Sequence, residues 1–144
     1  MRLSKIILAA ALTAAFSTPG IAKNLGDLAV PAMDAVNGKA LFVEKGCVAC
    51  HSVNGIGGEI GPRLDSRFTL RNATNLFDFG ARMWTHAESM IEVQKATIGG
   101  QIDLTGQELA NITAFAYDEN AQKTFSESDI SEEVKRLIKI ANGY

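Results

Sequence analysis

The sequence predicts an all-α fold of three core helices and a C-terminal amphipathic helix. In four segments apolar residues recur at steps of three and four, as they do on one face of a helix. No segment shows the strict alternation of a half-buried strand. A glycine-rich run without a period, 52–75, follows the first helical segment, and a loop of that length needs something to wrap around. The 144 residues have room for one compact domain.

Residues 1–22 have the pattern of a signal peptide. Arg2 and Lys5 supply its positive start, an apolar run follows from 6 to 16, and Gly20-Ile21-Ala22 forms the cleavage site. The apolar run is too short to span a bilayer. We therefore expect cleavage near Ala22, export to the periplasm and no stable membrane insertion. Without this segment the chain has 12 basic and 16 acidic residues, a formal charge of −4, which argues against a nucleic-acid partner.

The first helix is predicted at the start of the main domain, 34–118, after a leader without a period at 23–33. Asp34 or Asn37 can cap its beginning, and Gly46 is typical of its end. Its apolar positions at helical spacing are Val36, Ala40 and Val43.

The second and third helices follow the glycine-rich run. Thr74 or Asn75 can cap the second, which the glycines at 99 and 100 end. Its apolar positions are Leu76, Phe79, Met83, Ala87 and Met90. The third helix is predicted from Thr105 to Tyr117, because Thr105 and Glu108 stand at the spacing of a capping box.

The tail, 119–144, is predicted to be an acidic linker followed by an amphipathic helix. Asp129 with Glu132 offers the cap of that helix. The apolar stripe of the helix is Ile130, Val134, Leu137, Ile138 and Ala141. Such a stripe packs back on its own domain or docks on a partner protein, and the sequence leaves both open.

The run Cys47-Val48-Ala49-Cys50-His51 carries the chemistry of the chain. It is the attachment pattern of c-type haem, in which two thiols add to vinyl groups and the histidine becomes an iron ligand. A zinc site would need His86 as the fourth ligand, in an atypical spacing. A thioredoxin-like redox pair would need a strand-helix-strand unit around it, and a bare disulfide would close a very small loop.

Four segments resemble class I, mitochondrial-type cytochromes c, and they occur in the order found in that family. They are Gly38-Lys39-Ala40-Leu41-Phe42, Cys47 to His51, Gly61-Pro62-Arg63-Leu64 and Phe115-Ala116-Tyr117. Bacterial monohaem domains of this kind share a further segment, which stands here as Met83-Trp84-Thr85-His86-Ala87-Glu88-Ser89-Met90. The resemblance covers about residues 34–118 and implies one covalent haem c in a cytochrome c-like fold.

The resemblance implies the iron ligands. His51 would be the proximal ligand and Met90 the distal one, with Met83 as the second candidate. His86 is an alternative sixth ligand that would give a bis-histidine iron. Glu88 stands where such domains often have proline, which predicts that the chain stays helical through Met90.

Further haem contacts are implied around these ligands. The Pro62 carbonyl would accept a hydrogen bond from His51. Arg63 and Trp84 suit the haem propionates as donors, although a solvated arginine and a core tryptophan are equally open interpretations. Phe42 and Tyr117 would pack where the first and third helices cross.

The sequence thus predicts a periplasmic one-electron carrier with His/Met ligation and no enzymatic activity. Its partners would be the redox proteins that donate and accept the electron, and a larger periplasmic oxidoreductase is one form that such a partner could take. The competing hypothesis is a haem protein with a labile or open sixth position that binds a gas or reacts with peroxide.

Overall fold

A computed structural model describes residues 28–66 and 75–143 of the chain. The predicted signal peptide, the first part of the leader and the candidate cap Thr74 lie outside the described residues. The described part of the leader, 28–33, is irregular and exposed. No helix in the described ranges is long and apolar enough to cross a membrane.

Helix α1, Ala35–Glu44, begins and ends where the sequence predicts. The Asp34 carboxylate accepts hydrogen bonds from the amides of Val36 and Asn37, each at 2.9 Å. Gly46 follows the helix with a φ of 80°, a left-handed conformation that glycine adopts without strain. A short 3₁₀ turn, Cys47–Ala49, comes directly afterwards.

A small hairpin that the sequence prediction omitted follows this turn. Strand β1, Ser52–Val53, pairs antiparallel with strand β2, Ile56–Gly57. The connecting Asn54 and Gly55 both have positive φ, which is the favoured geometry for a two-residue hairpin turn. The fold remains all-α, since this pair is the whole of the strand structure in the described residues.

The predicted second helix is two helices: α2, Asp78–Thr85, and α3, Ala87–Ile98, separated at His86. The Thr85 hydroxyl donates to the carbonyl of Ala81 at 2.9 Å, a contact that competes with the helical ladder and bends helices. The prediction of one continuous helix was wrong at His86, whose φ of −109° and ψ of 13° lie outside the helical range. Helix α3 ends at Gly99, as expected, with a φ of 81°.

Helix α4, Gly106–Tyr117, has the predicted capping box and crosses α1 closely. The Glu108 amide donates to the Thr105 hydroxyl at 3.2 Å, and the Thr105 amide donates to the Glu108 carboxylate at 2.8 Å. At the crossing, a Cβ on Gly38 would lie closer than 3.0 Å to the carbonyl of Asn111. Glycine at this position lets the two backbones approach.

The tail beyond α4 contains more structure than the acidic linker that the sequence suggested. It forms helix α5, Glu119–Lys123, a 3₁₀ turn, Glu127–Asp129, and helix α6, Glu132–Ala141. The cap of α6 is Ser131 and not Asp129, whose carboxylate instead closes its own turn with Ser126.

Two apolar clusters form the core. The first cluster consists of the buried residues Phe42, Val48, Val53, Phe115, Phe125 and Ile130. Val134 and Ile138 of α6 pack against it, so part of the C-terminal stripe covers its own domain. The second cluster consists of the buried residues Leu41, Phe79, Ile112 and Ala116.

At the crossing of α1 and α4, Phe42 packs against Phe115 and not against the predicted Tyr117. The Phe42 ring lies 5.6 Å from that of Phe115, and 5.8 Å from that of Phe125, between ring centroids. Tyr117 packs instead against Phe79, at 6.4 Å, on the edge of the second cluster. Because residues 115 and 117 are two apart on a helix, they point in different directions.

Candidate haem site

The Cys47–His51 turn is wound tightly on itself. The carbonyl of Cys47 accepts hydrogen bonds from the amides of Cys50, at 3.2 Å, and His51, at 3.0 Å. Both cysteines are half-buried free thiols. Burial raises the pKa of the Cys47 thiol to about 11 and also raises the pKa of the Cys50 thiol. Both sulfurs are therefore protonated at neutral pH in the chain before attachment.

The imidazole of His51 is held from one side. Its Nδ1 lies 2.8 Å from the carbonyl oxygen of Pro62, the contact that the family resemblance implies. A carbonyl can only accept, so Nδ1 carries the proton and Nε2 keeps its lone pair for a metal. A Cβ on Gly61 would lie closer than 3.0 Å to three atoms of the ring. The ring thus rests on a position that only glycine leaves open.

Backbone hydrogen bonds attach the following loop to the turn. The amide of Gly58 donates to the carbonyl of Val48, and the amide of Gly61 donates to the carbonyl of Cys50, both at 2.8 Å. Gly58 sits so close to the backbone of Ala49 that a side chain has no room. The turn and the loop up to Pro62 therefore form one unit that fixes the histidine.

The second cluster supplies an apolar wall beside the first thiol. Cys47, Leu64, Met83 and Tyr117 all pack against it. The hydroxyl of Tyr117 is buried and has no hydrogen-bond partner among the described residues. A buried hydroxyl without a partner is costly, and the carboxylates of a haem are suitable acceptors for it. Two thiols, a held imidazole, an apolar wall and this hydroxyl fit a haem.

Arg63, predicted as a propionate contact, lies next to a buried carboxylate. Its Nε donates to Asp65 Oδ2 at 2.9 Å, and the side chain of Asp65 is only 1 % exposed. Asp65 Oδ1 also accepts from the amide of Asn54, at 2.8 Å. The arginine is therefore part of the scaffold of the loop, and its contact with a propionate stays a prediction.

The distal candidates lie on α2 and α3. The Trp84 side chain is exposed, at 84 %, so the core-tryptophan interpretation is wrong for the described structure. Met83 is half-buried against the second cluster, and Met90 is half-buried in the first turn of α3. The Met90 amide donates to the carbonyl of His86 at 3.0 Å, so the chain is helical through Met90, as Glu88 predicts. No hydrogen bond in the described ranges joins His51 to Trp84 or Met90.

Sequence reasoning missed two residues near this unit, Gln122 and Asn142. Gln122 is buried in the tail, and its side chain bonds to the loop at Leu64 and Ser66. The Asn142 side chain accepts from the amide of Glu59. These loop partners lie 56 to 83 positions away in sequence and leave no local signal, so no periodicity or motif could have found the two residues.

The competing interpretations of the cysteines find no support in the geometry. Within 28–66 and 75–143, no three His, Cys, Asp or Glu side chains gather as metal ligands, which a zinc site with His86 would require. The cysteines follow a helix and precede two-residue strands, which is not the strand-helix-strand surrounding of a thioredoxin-like pair.

Taken together, the attachment turn and its pocket define a helical protein that binds haem through two cysteines. Residues 35–116, more than half of the chain, match the family model of cytochrome c. The chain belongs to the cytochrome c family: it is a haem-based electron carrier with a covalently bound c-type haem, and it acts with redox partner proteins. Searches among curated proteins and among solved structures found no match.

Proposed function

We propose that this protein is a periplasmic one-electron carrier of the class I type, with a single haem ligated by His51 and Met90. When bound, the haem supplies an iron that cycles between its ferric and ferrous states. The chain fixes the imidazole, buries Val48 and Ala49 of the attachment turn and offers a thioether to the sixth position. No substrate chemistry is required of any residue.

The observation that carries the proposal is the held histidine. The hydrogen bond from Nδ1 to the Pro62 carbonyl and the close approach of Gly61 leave the ring little freedom. A ligand that does not move when the iron changes charge suits electron transfer, and the hydrogen bond raises its basicity.

Met90 is the preferred distal ligand on the family resemblance. Its half-buried thioether lies just after the bend at His86, which separates α3 from α2. Met83 already packs against the second cluster, and methionine commonly fills irregular gaps in such apolar packing. Thioether ligation would move the reduction potential upward relative to a bis-histidine iron with His86.

The remaining features of the proposal come from the sequence. The chain has two cysteines, enough for one haem attached through two bonds. The signal pattern of residues 1–22 supports export, and we expect the mature protein to begin near Lys23. Carriers of this kind bind donor and acceptor proteins through small, short-lived interfaces. Fractionation of cells tests the location, and an intact mass of the purified protein tests the N-terminus and the haem count. We expect a periplasmic chain that begins at about Lys23 and carries one haem.

The deciding experiment is absorption spectroscopy of the haem-loaded protein, oxidised, reduced and reduced under carbon monoxide. We expect a weak far-red methionine-to-iron band that Met90→Ala removes and the matched variant Met83→Ala keeps. We also expect no carbon monoxide shift in the parent.

The opposite results would identify the alternatives. Loss of the band only in Met83→Ala would make Met83 the ligand, and a spectrum sensitive only to His86→Ala would indicate bis-histidine iron. A parent that binds carbon monoxide readily, with a spectrum unchanged by every substitution, would favour the gas-binding or peroxide-reactive haem protein.

A further inference from the structure

The chain beyond the cytochrome c match, here termed the C-terminal extension (residues 117–143), contacts the loop around Pro62 at two places. On one side, the amide of Glu59 donates to Asn142 Oδ1 at 3.0 Å. On the other side, Gln122 bonds to Leu64 and Ser66. Pro62 lies between these two anchor points, three residues after one and two residues before the other.

Gln122 is the stronger anchor because it is buried and fully bonded. Its side chain is 1 % exposed, in a tail that is otherwise largely polar. Oε1 accepts from the amide of Ser66 at 2.7 Å, and Nε2 donates to the carbonyls of Leu64, at 2.9 Å, and Phe115, at 3.0 Å. Removing one partner from such a network leaves buried polar groups unsatisfied. Gln122 thus ties the loop to the end of α4.

A short backbone path leads from this anchor to the histidine. Leu64, held by Gln122 through its carbonyl, also donates from its amide to the carbonyl of Ser52, at 2.9 Å. Pro62 lies two residues before it and has a φ fixed by its ring. A shift of the chain at Leu64 therefore moves the Pro62 carbonyl relative to His51 Nδ1, which is now 2.8 Å away.

We propose that the C-terminal extension, chiefly through Gln122 and more weakly through Asn142, sets the strength of the His51–Pro62 hydrogen bond and with it the reduction potential. A short bond makes the imidazole more anionic, which stabilises ferric iron and lowers the potential. Loosening the loop lengthens the bond and raises the potential. Gln122 is a positioning residue, since it acts through Leu64 and Pro62 and does not touch His51.

The inference rests on the proposed function only through His51 as the proximal ligand. If the spectra of the parent exclude Met90 as distal ligand, the proposed function fails in its distal ligand. The comparison of the Gln122 and Asn142 variants with the parent remains valid, because it concerns the proximal side. The two failures are therefore distinguishable.

The test uses the full haem-loaded protein and the variant Gln122→Met, which keeps the volume of the side chain and removes its hydrogen bonds. The readouts are the reduction potential and the solvent exchange of the His51 Nδ1 proton, followed by NMR in the ferrous state. We expect a more positive potential and severalfold faster exchange, with the far-red band retained. Asn120→Met, at an exposed position of α5, is the matched control and should change neither.

Two results would overturn the inference. One is a Gln122→Met protein that melts at a lower temperature but keeps the parent's potential and Nδ1 exchange, since the residue would then be only structural. If Gln122→Met fails to mature, Asn142→Ala at the more exposed anchor decides: a smaller shift in the same direction supports the inference, and an unchanged potential and exchange overturns it.

Discussion

The two regions that hold the proposed proximal and distal haem ligands are built differently. The proximal region, residues 46–66, contains Val48, Ala49 and Val53, which are completely enclosed by other parts of the chain. In the distal region, residues 75–98, Phe79 is the one buried side chain, and α3 has none. Phe77 is 74 % exposed there, and Leu76 is 37 % exposed.

This difference shows which half of the site depends on the cofactor. The proximal region is ordered by contacts that the chain makes with itself, from α1, α4 and the C-terminal extension. The distal region leaves apolar side chains without enough protein to cover them, and burial of apolar area is the main favourable contribution to folding. We expect a planar apolar cofactor to supply the missing contacts, so haem should stabilise the distal region more than the proximal one.

The largest effect is expected where the proximal region meets the helix crossing. Phe42→Ala removes a fully buried ring that contacts two other phenylalanines, and we expect it to lower the free energy of unfolding by about 3–5 kcal/mol. Urea denaturation of the haem-loaded protein measures this. Val36→Ala, at an exposed position of the same helix, is the control, with a change within about 0.5 kcal/mol. Equal effects of the two would contradict a self-supporting proximal side.

A smaller loss is expected from Gly61→Ala, which places a methyl group against the ring of His51. Overpacking of this kind costs about 1–3 kcal/mol, and here it would also displace the proposed iron ligand. We expect a lower melting temperature and a smaller yield of covalent haem. Gly100→Ala has open space around the added methyl and should match the parent. A fully loaded Gly61→Ala protein with parental stability would mean that the ring is not confined there.

The contact between the end of α1 and the start of α4 is acid-sensitive. Lys45, at the end of α1, bonds to Glu108 at 2.6 Å and to the carbonyl of Asp103, in the segment that follows α3. The hydrogen bond from Lys45 and that from the amide of Thr105 lower the pKa of Glu108 from 4.5 to about 2. Because this pKa is depressed on folding, the stabilisation is fully present above pH 4.5 and is lost as the pH falls towards 2.

Glu108→Gln should therefore be less stable than the parent at pH 6. The difference in melting temperature between the two proteins should become smaller as the pH falls from 4.5 to 2. Melting temperatures across this range measure the effect. Glu92→Gln, on the exposed side of α3, controls for loss of a surface charge. If the difference from the parent became smaller by the same amount in both variants, the acid sensitivity would not come from the Lys45–Glu108 pair.

The smallest effect is expected at Trp84, the most exposed large side chain of the distal region. Trp84→Ala should change the free energy of unfolding by no more than about 0.5 kcal/mol, as is usual for surface positions. Chemical denaturation of the haem-loaded protein checks this value. A loss of about 2 kcal/mol would instead show that bound haem buries the indole, and it would favour the predicted contact with a propionate.

The parts of the fold that the sequence predicts are those governed by local contacts. The capping box of Thr105 and Glu108 and the Asp34 cap involve residues within three positions of each other, and both are present. The bend at His86 escaped prediction because the apolar spacing continues in phase across it, so the pattern gives no sign of where the two helices divide. Asn54-Gly55 was an available hairpin signal that the glycine-rich composition concealed.

The site divides in the same way. The attachment cysteines and His51 form a contiguous motif, and the Pro62 contact follows from the family resemblance. The burial of Gln122 depends on the Ser66 amide and the Leu64 carbonyl, more than fifty positions away, and on the Phe115 carbonyl at the end of α4. In the sequence this residue stands in an acidic stretch that resembles a solvated linker. Only the folded chain brings its partners together, so no sequence pattern predicts it.

The position of the C-terminal extension also has a consequence for the order of assembly. Phe125 and Ile130, from the C-terminal extension, share a cluster with Val48 inside the attachment turn. Before Phe125 and Ile130 pack there, the turn that contains Cys47 and Cys50 is not covered by the C-terminal extension. We expect both sulfurs to be more accessible to haem attachment during this interval, and docking of the extension afterwards to enclose the finished attachment.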